Sequence, residues 1–369
     1  MASPECDKCE EWRRKGATYC GECGRFLGDG CPMCQMWKDR GAAFCGECGR
    51  ALDRPPAEKR KGNIFHTIIK FSAALFLLSV VCALLADIAS AGNILDALEN
   101  KSLGFYIPLG LEDIVLFRLS GTGLSAYFVI ELAVIGLFGA YATYRTFAVR
   151  KECGDDPDRM AHTDLSAAAS ILCVTLATSL IYLMFMAAGG HTADTSWMDR
   201  YSRWEMMFML TNAGLQEELA YRLVLIGIPM AVIAFAKYRD VKCWRFLLGG
   251  FGMSKAAFIL ILVSSAIFGL GHYDGWGWVK VIDAFAGGIL FAYAYSEYGL
   301  HVCVLIHFVN DTLTLFPGGI FIELAMMGLG LIILIYWFIK PNRSAYRFTD
   351  MPSMPPRPEG KVLSMWERH

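Results

Sequence analysis

Met206–Ala236 reads MMFMLTNAGLQEELAYRLVLIGIPMAVIAFA, an apolar run that carries Glu217, Glu218 and Arg222 near its middle. A bilayer core is crossed by about 20 apolar residues in helical conformation, so this run is long enough to span. Each charge at the centre of such a span costs about 2.5 to 3.5 kcal/mol on insertion scales, which makes the three residues functional candidates by default. Glu218 and Arg222 stand at i and i+4 with the carboxylate N-terminal, the favourable order for an ion pair on one helical face. Glu217 is turned from Glu218 by about 100° and is freer to face a cavity.

The rest of the chain agrees with a membrane solvent. Of its 369 residues, 55% are hydrophobic and 19% charged, and the mean hydropathy is +0.40, too apolar for an ordinary soluble chain. Apolar stretches of spanning length run over Ile64–Ile88, Leu124–Val149, Leu165–Ala188, Met206–Ala236, Phe246–Gly271, Trp278–Tyr295, His301–Phe316 and Ile320–Ile339. The fold class expected is therefore an all-α polytopic membrane protein of about eight transmembrane helices, the short sixth and seventh being open to an irregular inner form. Basic residues test the count. Lys59, Arg60 and Lys61 precede the first span, Arg145, Arg150 and Lys151 follow the second, Lys237, Arg239, Lys242 and Arg245 follow the fourth, and Lys340, Arg343 and Arg347 follow the eighth. All fall on one side of an eight-span chain, which by the positive-inside rule places both termini in the cytosol of a multi-pass cell-membrane protein. Asn93–Leu119 then faces outward, where an interfacial helix is the expectation. No basic region followed by an apolar core precedes the first span, so no cleavable signal is expected.

The thirteen cysteines are unevenly placed. Cys6, Cys9, Cys20 and Cys23 recur 25 positions later as Cys31, Cys34, Cys45 and Cys48, so that both copies read C-x2-C-x10-C-x2-C. Two such knuckles aim four thiolates at one ion in the tetrahedral sulfur geometry that zinc prefers, and units this short need that staple to fold. A disulfide framework fits a cytosolic segment poorly. The two units resemble double zinc ribbons, so two small ribbons, each with one structural Zn2+, are expected over residues 1–52, followed by a Pro- and Lys-rich linker over 53–63. Trp12 with Arg13 and Arg14, and Trp37 with Lys38 and Arg40, form short basic-aromatic runs. A net charge of −1 gives no global field for nucleic acid, and docking of a cytosolic protein partner or regulation is the preferred purpose. Cys82, Cys153, Cys173, Cys243 and Cys303 read as small packing residues.

Partners for the charged span lie further along. Phe268-Gly-Leu-Gly-His272 ends the fifth span, and His307-Phe-Val-Asn310-Asp311 lies within the seventh, His307 and Asp311 again sharing a helical face. Two histidines, carboxylates and an arginine in a low-dielectric site could activate a water or hold a metal. The bland alternative is a set of satisfied interhelical hydrogen bonds. The ordered motifs E-E-x-x-x-R, F-x-x-x-H and H-x-x-x-[N/D] on separate spans resemble the type II CAAX prenyl endopeptidase and bacteriocin-processing family of intramembrane proteases. The likeness runs from about Asp164 to Ile339. It implies a helical intramembrane (metallo)endopeptidase in which Glu217 is the general base for a water and His272 its partner. His307 and the residue four positions on would stabilise the oxyanion or contact a catalytic divalent metal, while Arg222 holds Glu218. Asp311 stands where prenyl-processing members carry Asn, with Asn310 one step earlier, and an anionic Asp would orient His307 or bind metal instead. His272 falls near the outer end of its helix while Glu217 and His307 lie deeper, so a distorted or re-entrant helix is expected to join them.

On this reading residues 64–163 are N-terminal transmembrane helices, 164–340 a protease core and 341–369 a flexible tail. The partners are membrane lipid and a peptide or protein substrate. Neither H-E-x-x-H, G-x-S-x-G nor G-x-G-D occurs, which leaves zincin, serine and paired-aspartate mechanisms without support. A non-catalytic scaffold or immunity protein, and a transporter using buried charges and Gly287-Gly288, are the competing classes. His66, His162, His191, His301 and His369 read as interfacial or solvated.

Overall fold

The computed structural model describes residues 8–14, 64–109, 113–153, 156–237 and 243–339. They fall in two compact units, each taken by itself. The first contributes helix α1 (Cys9–Arg14), with Cys9 buried. The other seven ribbon cysteines, the linker over 53–63 and the tail over 341–369 lie outside the described residues.

The second unit begins with α2 (Ile64–Leu98), whose 35 residues extend over about 52 Å at 1.5 Å per residue, well beyond a bilayer core of about 30 Å. A hairpin of β1 (Ser102–Pro108) and β2 (Asp113–Ser120) follows. Next come α3 (Thr122–Cys153), the short α4 (Pro157–Ala161) and α5 (Asp164–Ala188). The charged span is α6 (Arg203–Glu217), π-helical turns over Glu218–Gly227 and α7 (Ile228–Lys237). The chain closes with α8 (Lys255–Gly271), the one-turn α9 (Tyr273–Trp276), α10 (Trp278–Tyr298), α11 (Leu300–Thr312) and α12 (Gly319–Ile339).

Among the described residues, six helical segments are long and apolar enough to cross a membrane, and α8 with the α11 segment are shorter apolar helices. The outward faces are apolar: Phe71 and Leu85 on α2, Ile130 and Leu137 on α3, and Phe321 and Phe338 on α12 are all exposed, as side chains solvated by lipid should be. The protein is thus a multi-pass membrane protein. The expected span over Phe246–Gly271 begins later than its hydropathy implied. A 3-10 turn covers Cys243–Leu248, and Gly249, Gly250 and Gly252 all take positive φ before Ser254 caps α8 through Ala257 N–H at 3.2 Å.

The short seventh segment is a regular helix at the centre of the bundle. Val302 to Phe308 are at most 4% exposed, and α11 packs against α2, α3, α5, α6 and α10. Buried on every side, it has no lipid face whose length must match the bilayer. Gly299, at φ 109°, supplies the left-handed turn that reverses the chain from α10 into α11. Gly214 lets α6 meet it closely, since a Cβ there would stand 2.8 Å from Phe308 Cα.

The expectation of an interfacial helix over Asn93–Leu119 is corrected: α2 continues to Leu98, and the rest forms the antiparallel hairpin, with Leu103 opposite Leu119 and Tyr106 opposite Val115. Each strand carries three aromatic or β-branched residues, Phe105, Tyr106 and Ile107 on β1 and Ile114, Val115 and Phe117 on β2, and Phe105 stacks on Phe117 at 4.7 Å across the strands.

Tertiary contacts sort the connections into two ends. At one, Lys101 before the hairpin pairs with Glu205 in the first turn of α6, and Asp194 N–H in the α5–α6 loop donates to Trp276 O of α9 at 3.0 Å. At the other, Asp164 Oδ2 lies 2.7 Å from His301 Nε2 and 3.4 Å from Arg145 Nε, and Gly250 N–H donates to Tyr295 O at 3.0 Å. Phe65 and Tyr336 stack at 3.7 Å, bringing the first turn of α2 to the last of α12. Successive spans therefore alternate in direction.

Candidate active site

The site is built where the charged span changes its winding. From Glu218 the helix adopts π turns, ending with Ile228 N–H donating to Leu223 O five residues back. Such turns fit an extra residue into a helix and concentrate at functional sites. Here they begin at the second of two adjacent glutamates, and the two carboxylates have different surroundings.

Glu218 is fully buried and fully engaged. Its Oε2 accepts from Arg222 Nε at 3.1 Å and from the Cys303 thiol at 2.5 Å, and its Oε1 lies 2.7 Å from His307 Nδ1. The ion pair expected from the i and i+4 spacing forms with neither side chain exposed. Arg222 is braced further: its second nitrogen type donates to Ser264 Oγ at 3.2 Å, Ser264 donates to Tyr221 O at 2.7 Å, and the guanidinium lies 4.9 Å from the Phe268 ring centre. A buried charge pair is tolerated only with this degree of compensation.

Glu217 is freer. Its side chain is 23% exposed, and Oε2 stands 3.8 Å from His307 Nε2 without a hydrogen bond. His272 caps the end of α8, partly buried, and is near enough to interact electrostatically with Glu217. His272 Nδ1 lies 2.8 Å from Phe268 O. A carbonyl only accepts, so Nδ1 carries the proton and the lone pair of the neutral ring sits on Nε2. Asp311 Oδ2 lies 3.3 Å from His307 Nε2, and Asn310 Nδ2 donates to the other Asp311 oxygen at 2.9 Å. Asp311, not Asn310, is thus the neighbour of the histidine. His307 has a carboxylate at each ring nitrogen and can donate from both.

The hairpin closes this end. Gly104 O accepts from Gln216 Nε2 at 2.6 Å, Gln216 Oε1 accepts from Asn212 at 2.6 Å, and Asn212 Oδ1 accepts from Tyr127 at 2.8 Å, tying β1 to the residue before Glu217. Tyr106 packs with Tyr221, Phe268, Ala220 and Ala284. Burial and the nearby carboxylates of Glu217 and Asp113 push its phenol above the ordinary range. The distortion expected to unite His272 with Glu217 and His307 is therefore in α6, as π turns, and α8 simply ends at the site.

All six candidate residues, Glu217, Glu218, Arg222, His272, His307 and Asp311, fall in this one region. The sequence reading missed Cys303, taken for packing, although Cys303, His307 and Asp311 recur at i, i+4 and i+8 on one face. It also placed His301 at an interface, whereas His301 is buried against Asp164; no sequence signal pairs residues 137 positions apart. Asp87, bonded to Thr211 Oγ1 at 3.0 Å, and the fully buried Glu131 were passed over, though the cost of charge in a span applies equally to them.

Among the described residues, no three His, Cys, Asp or Glu side chains are arranged to hold a metal ion. Both Glu218 oxygens are taken, which leaves Glu217 Oε2, the second nitrogen of His307 and Asp311 as the oxygen and nitrogen atoms facing one another. In the ribbons, the donor set of two four-thiol groups suits zinc by its chemistry.

Residues 199–313 match the family model for type II CAAX prenyl endopeptidase Rce1-like, and residues 6–49 match that for a double zinc ribbon. No curated protein and no solved structure matches the chain. The first match covers α6, the π turns, α7, α8, α10 and α11, and so contains every candidate residue. It supports intramembrane endopeptidase activity in general terms, with a peptide or protein substrate; the second match implies structural zinc.

Proposed function

We propose that the chain hydrolyses a peptide bond within or beside the membrane, with water activated by Glu217 and His272. The observation that carries this reading is the division of labour between neighbouring glutamates: Glu218 is sealed against Arg222, Cys303 and His307, while Glu217 keeps an oxygen without a hydrogen bond. Water held between Glu217 and His272 Nε2 gives one proton to Glu217 as its oxygen attacks the scissile carbonyl carbon. The oxyanion receives hydrogen bonding from His307 Nε2, which Glu218 and Asp311 orient. When the C–N bond breaks, the proton on Glu217 passes to the leaving amine, the new carboxylic acid gives its remaining proton to the amine or to water, and Glu217 is again a carboxylate. Arg222 serves this chemistry by holding Glu218; were a divalent metal to bind, Glu217, His307 and Asp311 would be the residues nearest it and it would polarise the same water, although those side chains as they stand are not arranged to hold one.

The zinc ribbons are proposed as a cytosolic module that docks a protein partner or regulates the protease. The matching family model is described as a type II CAAX prenyl endopeptidase, and that substrate class is not carried over to this chain. A scaffold or immunity role without turnover is the competing reading.

Two measurements test these proposals. New protein N-termini in membranes of cells making the wild-type chain should be missing from cells making Glu217→Gln at equal abundance; identical sets of termini would favour the scaffold. Metal content in detergent should give two zinc ions per chain, both lost from a chain beginning at Gly62. A further ion, retained in that shorter chain and lost in its Glu217→Ala form, would move the water onto a metal.

A further inference from the structure

The site belongs to one end of the bundle, and charge identifies which side of the membrane that end faces. His272 and α9 occupy the connection between α8 and α10, and the hairpin occupies that between α2 and α3; Lys101 before the hairpin pairs with Glu205 in the first turn of α6, and Asp194 in the α5–α6 loop bonds to Trp276. Gln216 to Gly104 and Tyr106 beside Tyr221 fasten the same hairpin to the catalytic helix. Of the candidate side chains, Glu217 at 23% and Asp311 at 19% retain exposure while Glu218 has none, and the cluster lies beside the hairpin that Gln216 and Tyr221 hold.

Basic residues collect at the opposite end. Arg145, Arg150 and Lys151 lie in the last turns of α3 and Arg159 in α4, while Lys237 ends α7, Arg245 lies in the 3-10 turn and Lys255 opens α8; the sequence adds Arg239 and Lys242 between α7 and Cys243. The hairpin end has Lys101, Arg118, Arg200, Arg203 and Lys280, of which Lys101 is paired with Glu205 and Lys280 with Asp283 at 2.7 Å. Aromatic side chains also cluster there: Trp197 meets Trp276 at 5.1 Å and Tyr201 at 6.0 Å, and Trp278 meets His191 at 5.2 Å, while exposed Tyr144, Trp244 and Trp337 stand at the opposite end. Tryptophan and tyrosine in such a band mark a headgroup level, and the excess of lysine and arginine marks the cytoplasmic side.

We infer that the catalytic cluster opens on the non-cytoplasmic side of the membrane, and that its substrates are polypeptide segments presented from that side, as the outer portion of a membrane-anchored or exported chain. A prenylated C-terminus is made and displayed in the cytoplasm, and would meet the end of this bundle remote from the hairpin. The substrate part of this inference rests on the protease reading; the orientation does not.

The test uses the full chain in intact cells with a membrane-impermeant maleimide. Ser196→Cys and Asp274→Cys place thiols at exposed positions of the hairpin end, Lys151→Cys places one at the basic end, and the wild-type chain sets the background from native cysteines. Labelling above background of the first two in intact cells, and of the third only after permeabilisation, is the expected result. The reverse pattern overturns the inference, whether or not the chain hydrolyses anything. In parallel, Glu217-dependent new N-termini should map to segments outside the cytoplasm; if they map to cytoplasmic C-terminal segments, the protease reading survives and the substrate class assigned here falls.

Discussion

His307 and Glu218 face each other at 2.7 Å, ring nitrogen Nδ1 against carboxylate oxygen Oε1, on two helices that Gly214 allows into close contact. The glutamate cannot turn to meet water, because Arg222 and Cys303 hold its other oxygen. It therefore fixes the histidine, and its neighbour Glu217 is left to do the chemistry.

Breaking one half of the buried pair should cost more than removing both halves. Arg222→Met strands Glu218 in the core and is expected to destabilise by about 3 to 5 kcal/mol. Glu218→Leu with Arg222→Met should recover a large part of that loss while remaining inactive, because His307 is no longer oriented. Thermal unfolding in detergent, with cleavage assayed on the folded fraction, measures both effects.

The close approach of α6 and α11 makes Gly214 sensitive to a single methyl group. A Cβ at 2.8 Å from backbone must displace a helix, since the obstacle is not a flexible side-chain tip. Gly214→Ala should cost about 1 to 3 kcal/mol and reduce turnover further by separating Glu217 from His307. Gly136, whose Cβ would meet nothing within 4 Å, is the matched control: Gly136→Ala should leave both stability and cleavage near wild type.

Cys303 offers a test of positioning that fold loss alone cannot mimic. Cys303→Ser keeps a donor for Glu218 Oε2 and should keep most activity, whereas Cys303→Val keeps the shape and loses the donor. Hydrogen bonds to charged groups are worth about 1.5 to 3 kcal/mol, so a fall of tenfold or more in kcat with little change in KM is expected for the valine variant. Equal loss in both variants would assign Cys303 to packing.

Asp164 and His301 tie α5 to α11 at the end remote from the hairpin, at 2.7 Å. A double-mutant cycle with Asp164→Asn and His301→Gln should show a coupling of roughly 1 to 3 kcal/mol in unfolding. The folded fraction of each variant should retain cleavage, since neither residue touches Glu217, His272 or His307. Additive effects on stability would mean that the pair is not coupled.

The helical membrane class and the order of the apolar segments were legible because hydropathy responds to lipid; of the eight expected spans, six are helices of spanning length among the described residues and two are shorter. The hairpin was not, because Ser102–Pro108 and Asp113–Ser120 are too short for periodicity to outweigh an assumption of helix, and their pairing depends on a turn closing in space. Glu217, Glu218 and Arg222 announced themselves as charges in a span, and helical spacing gave the Glu218–Arg222 pair. The π turns over Glu218–Gly227 carried no such signal, since the apolar and charged residues there fit an α-helix equally well. The thiol of Cys303 was overlooked because a cysteine in an apolar helix usually packs, and its partner lies 85 residues away.

The most direct measurement is the incorporation of heavy oxygen. Wild-type chain in liposomes, given a mixture of membrane-spanning and juxtamembrane peptides in heavy-oxygen water, should release fragments carrying one heavy oxygen in the new carboxylate, and Glu217→Gln should release at least a hundredfold less while unfolding at the same temperature, in line with the usual contribution of about 10² to 10⁴ from a general base. Fragments released equally by Glu217→Gln, or no labelled fragment from a folded wild-type chain, would contradict hydrolysis by water that Glu217 activates.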